Sequence, residues 1–355
     1  MFRRIRMLAA VMALAVFSDS TRAAELTDSL KKGTPEMKSA GALAFGPDGV
    51  LFIGDAANAT IFAVGTGDTK GDSKAAVKAE KLNEKIGSML GAMSGDIKIN
   101  DLKVNPASGN LFFSVTRGKG ASAMPAIVKM ERSSGKISEF ELKDVPFSSV
   151  KLTNANEKRR AESITDLNYV KGKVYVAGLS NEEFASKLRA IDFPFKEADT
   201  GASIEIYHGA HGKLETNSPI RTFAVYEIAK ETNLLASYTC TPLVKIPVDS
   251  LKAGVKVSGT TVAELGNMNQ PLDMVVYSKD GKDYLLMSNS RHGLIKVKLE
   301  GIDKADPITT RVAGTAGLTY DKIPEVKDVV QMDKLDDTRF VYLSKSGDLD
   351  TVPLP

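Results

Sequence analysis

Three histidines and one cysteine occur in 355 residues, and each sits in a polar, turn-rich stretch. His208 and His211 fall in Tyr207-His208-Gly209-Ala210-His211-Gly212, His292 in Ser288-Asn289-Ser290-Arg291-His292-Gly293, and Cys240 in Tyr238-Thr239-Cys240-Thr241-Pro242. Imidazole and thiolate suit zinc or copper. The set His208, His211, His292 and Cys240 is therefore a candidate transition-metal site with a redox role. A second chemistry uses Cys240 as nucleophile with His211 or His292 as base. The ordinary alternatives are glycine-flanked surface histidines and a small buried cysteine. Arg221 and Arg291 suggest a third chemistry, because the guanidinium fork matches carboxylate and phosphate. An ion pair to Glu215 or Glu264 would use up the same groups. Glycine-rich phosphate loops, Ser-x-x-Lys and His-Glu-x-x-His are absent from the sequence.

These residues lie tens to hundreds of positions apart, so the elements between them must form a scaffold that gathers loops on one face. An acid opens a short apolar stretch at Asp101, Asp166, Asp273 and Asp328, with separations of 65, 107 and 55 residues. Arg221-Thr222-Phe223 is a degenerate copy inside the longest gap. A strand-only repeat of about 50–65 residues marks a radial β-architecture. The units are predicted as strand, glycine turn, strand, polar loop, strand. They begin near Ala42, Asp101, Asp166, Thr222, Asp273 and Asp328. The fifth unit is expected to end on a strand at Thr309–Ala313. The sixth is one strand short, and residues from Glu25 to Lys38 are expected to supply its outer strand, since an unpaired edge is costly. This gives an all-β, six-bladed propeller. A seven-bladed wheel follows if Ser73 to Asp96 hides a further blade. Within that segment Leu82, Ile86, Met89, Leu90 and Met93 recur at helical spacing, which predicts a short helix over 82–93 that caps the adjoining blades. The repeated aspartates themselves are predicted to cap backbone N–H groups of the next blade.

Gly46-Pro47-Asp48-Gly49-Val50-Leu51-Phe52-Ile53-Gly54-Asp55 resembles the repeat of NHL and SMP-30-type propellers, and a weaker likeness extends over residues 40–355. The SMP-30 and paraoxonase resemblance implies a calcium or other divalent ion in the central tunnel, held by Glu, Asn and Asp side chains. Asp101, Asp166 and Asp273 with Asn100, Asn269 and Glu162 are the residues that could fill that role. The same resemblance implies metal-dependent hydrolase or lyase activity. It departs from the group at Arg221-Thr222, where an acid would stand.

In a propeller the loops entering each innermost strand share a face with the loops joining second and third strands, and function concentrates on such loops. Here that face carries Glu162, Glu215, Arg221, Asn269, Asn289 and Arg291 as candidate ligand-binding residues. The chain opens with Arg3, Arg4 and Arg6, then an apolar run from Met7 to Phe17, then Thr21-Arg22-Ala23. The run is too short to span a bilayer, and the pattern is that of a signal peptide over residues 1–23. Export to the periplasm or outside the cell is therefore expected, with 24–355 as one domain. The formal net charge is +3, from 47 basic and 44 acidic residues. Removing Arg3, Arg4, Arg6, Arg22 and Asp19 leaves 43 of each, so nothing favours nucleic acid. A lone cysteine forbids an internal disulfide. The expectation is a monomer without a membrane span that binds a small polar molecule or a partner protein. A divalent metal (calcium, zinc or copper) is the cofactor considered.

Overall fold

The computed structural model describes residues 26–240 and 242–355. The signal-peptide reading of residues 1–23 lies outside them. β1 (Lys31–Gly33), β2 (Leu43–Phe45), β3 (Val50–Asp55) and β4 (Thr60–Gly65) come first, followed by helix α1 (Leu82–Leu90). β5 (Ile97–Val104), β6 (Leu111–Arg117), β7 (Met124–Met130) and β8 (Ile137–Glu139) form a four-stranded antiparallel meander. β9 (Val145–Lys151) then returns to the first sheet, whose order is β1-β9-β4-β3-β2. Two further meanders are β10 (Asp166–Val170), β11 (Lys173–Leu179), β12 (Ser186–Asp192), β13 (Ala202–His208), and β15 (Ile220–Ile228), β16 (Glu231–Tyr238), β17 (Pro242–Pro247), β18 (Lys256–Leu265). They share one ten-stranded sheet, because β13 pairs with β18 in parallel; β14 (Lys213–Glu215) adds to β13 and β22 (Thr315–Gly317) to β18. β19 (Pro271–Lys279), β20 (Lys282–Asn289), β21 (Gly293–Lys298) and β23 (Tyr320–Lys322) make the next sheet. β24 (Val329–Lys334), β25 (Arg339–Ser344) and β26 (Leu349–Pro353) make the last.

The first strand of each meander packs on two others, and together they close a cycle. β2 lies against β5 and β10, β10 against β15, β15 against β19, β19 against β24, and β24 against β5. The order around this wheel differs from the order along the chain. From the first sheet the chain visits β5–β8 on one side, returns to lay down β9, and then leaves for β10 on the other side. The last sheet thus closes on β5 rather than on β2.

Local sequence explains the strands. Val50 to Asp55 is buried throughout, and the turn before it needs left-handed backbone at Asp48 and Gly49. A Cβ on Gly49 would stand 2.6 Å from the Asp68 carbonyl, so only glycine fits. β5, β15, β19 and β24 each carry a bulge at the same point, just before Asp101, Thr222, Asp273 and Gln331. The bulge places these residues at equivalent register positions.

The aspartates do what the repeat predicts, with one shift. Asp101 accepts Leu102 N–H and, across to β2, Leu43 N–H at 2.7 Å. Asp166 binds Leu167 and Phe223, and Asp273 binds Met274 and Met332, each at 2.8 Å. In the last sheet the capping acid is Asp333 rather than Asp328. It accepts Lys334 N–H and reaches Val104 N–H at 2.7 Å. Asp333 stands two residues beyond Gln331, and the period of a strand keeps it on the same face. All four cross-strand bonds run the same way around the cycle. The junctions of β2 with β10 and of β15 with β19 have no such acid; at the first, Phe52 packs on Tyr169 and Phe193, and at the second Thr222 stands at the acid's position.

Two strand expectations are corrected. The N-terminal segment does not complete the last sheet: β1 pairs with β9, register Lys31↔Phe147, in the first sheet. The last sheet is bordered instead by residues 77–79, where Ala79 and Leu349 exchange backbone hydrogen bonds and Val77 pairs with the Thr351 hydroxyl. The cause is the return of β9, which puts the N-terminal segment one unit away from the closing edge. Likewise the sheet of β19–β21 ends on Tyr320–Lys322, not Thr309–Ala313. The segment around 308–312 turns towards the neighbouring sheet, where Ile308 N–H bonds to Thr261 and Val312 N–H to Gly209. α1 caps the closing junction as expected. Leu82, Ile86 and Leu90 share a buried cluster with Leu102, Val115, Val341, Leu343 and Leu349. Among the described residues no helix is long and apolar enough to cross a membrane.

Candidate functional site

At the hub, the four capping aspartates surround one cation. Lys103 follows Asp101 by two residues, so both face the axis. Its Nζ is 3.6 Å from Asp101 and 4.0 Å from Asp273. Burial raises all four carboxyls, pushing Asp166 to about 6 and Asp273 to about 8, while Lys103 and the backbone N–H bonds pull the other way. Burial alone would depress Lys103, but Asp101, Asp273, Asp333 and Asp166 outweigh it and hold the ammonium well above its ordinary value. A central cavity of about 590 Å³ opens from this hub past the loops at 105–109 and 335–337. Its deep polar groups are already engaged. Arg132 at its wall is paired with Asp336 at 2.6 Å, and burial of Asp336 is outweighed by bonds from Arg339 and Arg132 that hold its carboxyl far below the usual range.

The opposite end of the wheel, where the strand-entering loops lie, carries a second opening. A cleft of about 630 Å³ separates the β19–β23 sheet from β24–β26. Its floor is aliphatic, from Leu272, Leu294, Ile323, Val326, Val329 and Val330, and its charged lining is Arg291, Lys322, Lys327 and Lys345 against Asp328 alone. None of the four cations has an ion-pair partner among the described residues; Arg291 donates to the Asn267 carbonyl at 3.1 Å. His292 lies between them. Burial, with Lys322 and Arg291 adding to it, depresses its imidazole, so it adds a neutral ring to the wall.

Of the six residues expected to bind a ligand on this face, Arg291 and Asn289 line the cleft. Asn289 is buried and orders the loop: its Oδ1 accepts Arg291 N–H and His292 N–H, and its Nδ2 donates to Asn269 Oδ1 at 2.8 Å. Asn269 thus supports Asn289 from behind, with a further bond to Gly266 at 2.7 Å. Arg221 is held by Glu162 at 2.9 Å and by the Thr239 hydroxyl. This is the inter-unit ion pair weighed above, with Glu162 as the partner in place of Glu215 or Glu264.

Among the described residues, the group whose side chains could share an ion is His208, His211 and Glu215, with one ligand atom of each within 4.8 Å of the others. Asp101, Asp166 and Asp273 do not form such a group among the described residues; their oxygens accept backbone N–H bonds. Cys240 and His292 stand apart from it. Cys240 is half-buried, in left-handed backbone, with its N–H on the Asn269 carbonyl. His292 meets Tyr320 at 5.5 Å and Asn269 at 3.4 Å. Glu264, weighed only as an ion-pair partner, is fully buried beside His208. Lys103 and Asp333 were legible in principle from the strand period, and Lys322, Lys327 and Lys345 from their clustering around the last unit's entry.

No protein-family model matches the chain and no curated protein matches it. Among solved structures, the chain is similar to one in the crystal structure of the mitotic checkpoint complex, with TM-score 0.42, 9% identity, and 98% of this chain and 99% of that one covered. It is also similar to the full extracellular region of plexin A4, domains 1 to 10, with TM-score 0.42 and 10% identity over 92% of this chain and 40% of that one. Likeness at this level carries no argument about activity. The class to which the molecule belongs rests on its own topology: an all-β wheel of antiparallel meanders, that is, a β-propeller.

Proposed function

We propose that the protein is a six-bladed, NHL-like β-propeller, exported to the periplasm or beyond, that binds a small anionic ligand with an apolar body. The cleft between the β19–β23 and β24–β26 blades is the site. The observation that carries this reading is four cations around an aliphatic floor with one opposing carboxylate. Unpaired cations at the edge of an apolar slot attract an anion, and the slot then removes the ligand's apolar surface from water at about 25 cal/mol per Å². The central cavity is the weaker candidate, since its charges already serve the hub. The count of six rests on the closed cycle of first strands, and export on the arginines and apolar run of residues 1–23.

Octanoate tests the reading, with inorganic phosphate as the anion lacking an apolar body. Isothermal titration is expected to give saturable, single-site octanoate binding that is weaker for phosphate. Arg291→Ala should weaken octanoate about tenfold, since one charge-assisted contact in a half-open cleft is worth about 1.4 kcal/mol. Lys322→Ala on top should weaken it further. Saturable binding that is equally tight in the double variant would overturn the assignment, as would no binding by wild type.

A further inference from the structure

β13 ends at His208, and the chain makes a tight turn before β14 pairs back on it, register His208↔Lys213 and Ile206↔Glu215. Within the turn, His211 N–H and Gly212 N–H both bond to the His208 carbonyl. That geometry sets the two imidazoles against each other, tilted by 35°, with centroids 3.9 Å apart. The hairpin brings Glu215 under both of them: its Oε2 meets His208 Nδ1 at 2.8 Å and its Oε1 meets His211 Nδ1 at 2.5 Å. Ser218 Oγ donates to the same carboxylate at 2.9 Å, and Lys213 Nζ stands 4.0 Å away.

An independent feature lies behind the histidines. Glu264 is fully buried, and its Oε1 accepts Gly209 N–H at 2.6 Å. Among the described residues its Oε2 has no hydrogen-bond partner, and neither does His208 Nε2, although His208 is only 1% exposed. Two buried, unpaired polar atoms on neighbouring side chains are costly and rare. The Gly209 position is built for this approach, because a Cβ there would lie 3.0 Å from the Glu264 carboxyl.

We propose that His208, His211 and Glu215 bind a divalent metal ion of the zinc class. Nδ1 of each histidine and one Glu215 oxygen supply two nitrogens and an oxygen, a donor set suited to zinc with a fourth position left open. The Nδ1 lone pair can face the metal only when the proton is carried on Nε2. For His208 that tautomer places the proton on the buried Nε2, on the ring edge away from Glu215. Binding replaces the two imidazole–carboxylate hydrogen bonds and displaces the Lys213 contact. His211, whose side chain is 45% exposed, gives the ion its entry path.

The test uses the full mature chain stripped with chelator and dialysed. Zinc titration is expected to restore about one equivalent by elemental analysis and to raise the melting temperature, and cobalt(II) to develop the visible absorption of a tetrahedral site. His211→Ala, at a half-exposed position, should fold and lose zinc affinity at least about 100-fold. Cys240→Ser should bind as wild type does. Wild-type uptake no greater than that of His211→Ala, or loss of zinc in Cys240→Ser, overturns the site.

Discussion

Replacing Lys103 with methionine removes the only cation that faces four buried carboxylates while keeping the volume of the stem. At an effective dielectric of 20, the 3.6 Å contact to Asp101 is worth about 4.6 kcal/mol before desolvation is counted. Losing one partner of a buried pair costs about 3–5 kcal/mol for the same reason. A second limit comes from protonation. An acid left without its cation can take up a proton, and from an ordinary value of 3.8 that escape costs about 1.36 kcal/mol per pH unit, or about 4.4 kcal/mol at pH 7. The deficit is therefore about 3–4 kcal/mol at pH 7 and about 1.6 kcal/mol at pH 5. For 355 residues, an unfolding entropy of about 0.7 kcal/mol/K converts the pH 7 deficit to about 4–6 °C. The sign follows from linkage. Asp166 and Asp273 are raised to about 6 and about 8, so the stability they contribute is complete below 3.8 and is lost as pH rises through those values. Wild type should weaken between pH 5 and 8, and Lys103→Met should weaken faster. Thermal melts of both proteins at pH 5, 6, 7 and 8 decide the matter. A deficit that is independent of pH, or that grows on acidification, refutes the electrostatic reading of the hub.

Two other perturbations separate structural contacts from functional ones. Ala79→Pro deletes the N–H that bonds to Leu349 and should cost about 3 kcal/mol in urea unfolding, whereas Lys32→Pro in the exposed β1 should cost less than about 1 kcal/mol; the reverse ranking would restore the N-terminal segment as the closing element. A double-mutant cycle on Arg221 and Glu162, whose side chains are 25% and 21% exposed, should give a coupling below about 1 kcal/mol and leave octanoate binding unchanged.

Much of this molecule was readable from strand chemistry because strands obey local rules. The pattern from Ala42 to Val64 named three strands and a turn, and the repeated acids Asp101, Asp166 and Asp273 pointed to inter-unit caps before any contact was visible. The failures share one physical origin, namely that pairing between distant strands leaves little trace in either partner. Val145–Lys151 is half-exposed, with no strict alternation, so nothing local announces that it rejoins the first sheet. Missing it displaced the closure from residues 77–79 to the N-terminus. Asp328 reads as a cap because it starts the last apolar stretch, but the bulge at Val330 moves the axial face onward and Asp333 makes the bond to Val104. The functional face shows the same division. Loop position places Asn289, Arg291 and His292 on one face, where they line a cleft, but it also groups His292 and Cys240 with His208 and His211, from which the structure keeps them apart. What brings His208 and His211 together is a hairpin of eight residues, from His208 to Glu215, and its carboxylate is supplied by the strand partner. A ligand set built within one hairpin is legible when the pairing register is considered along with the metal-binding residue types. One assembled from four separate loops is not, because each added loop brings its own unconstrained orientation.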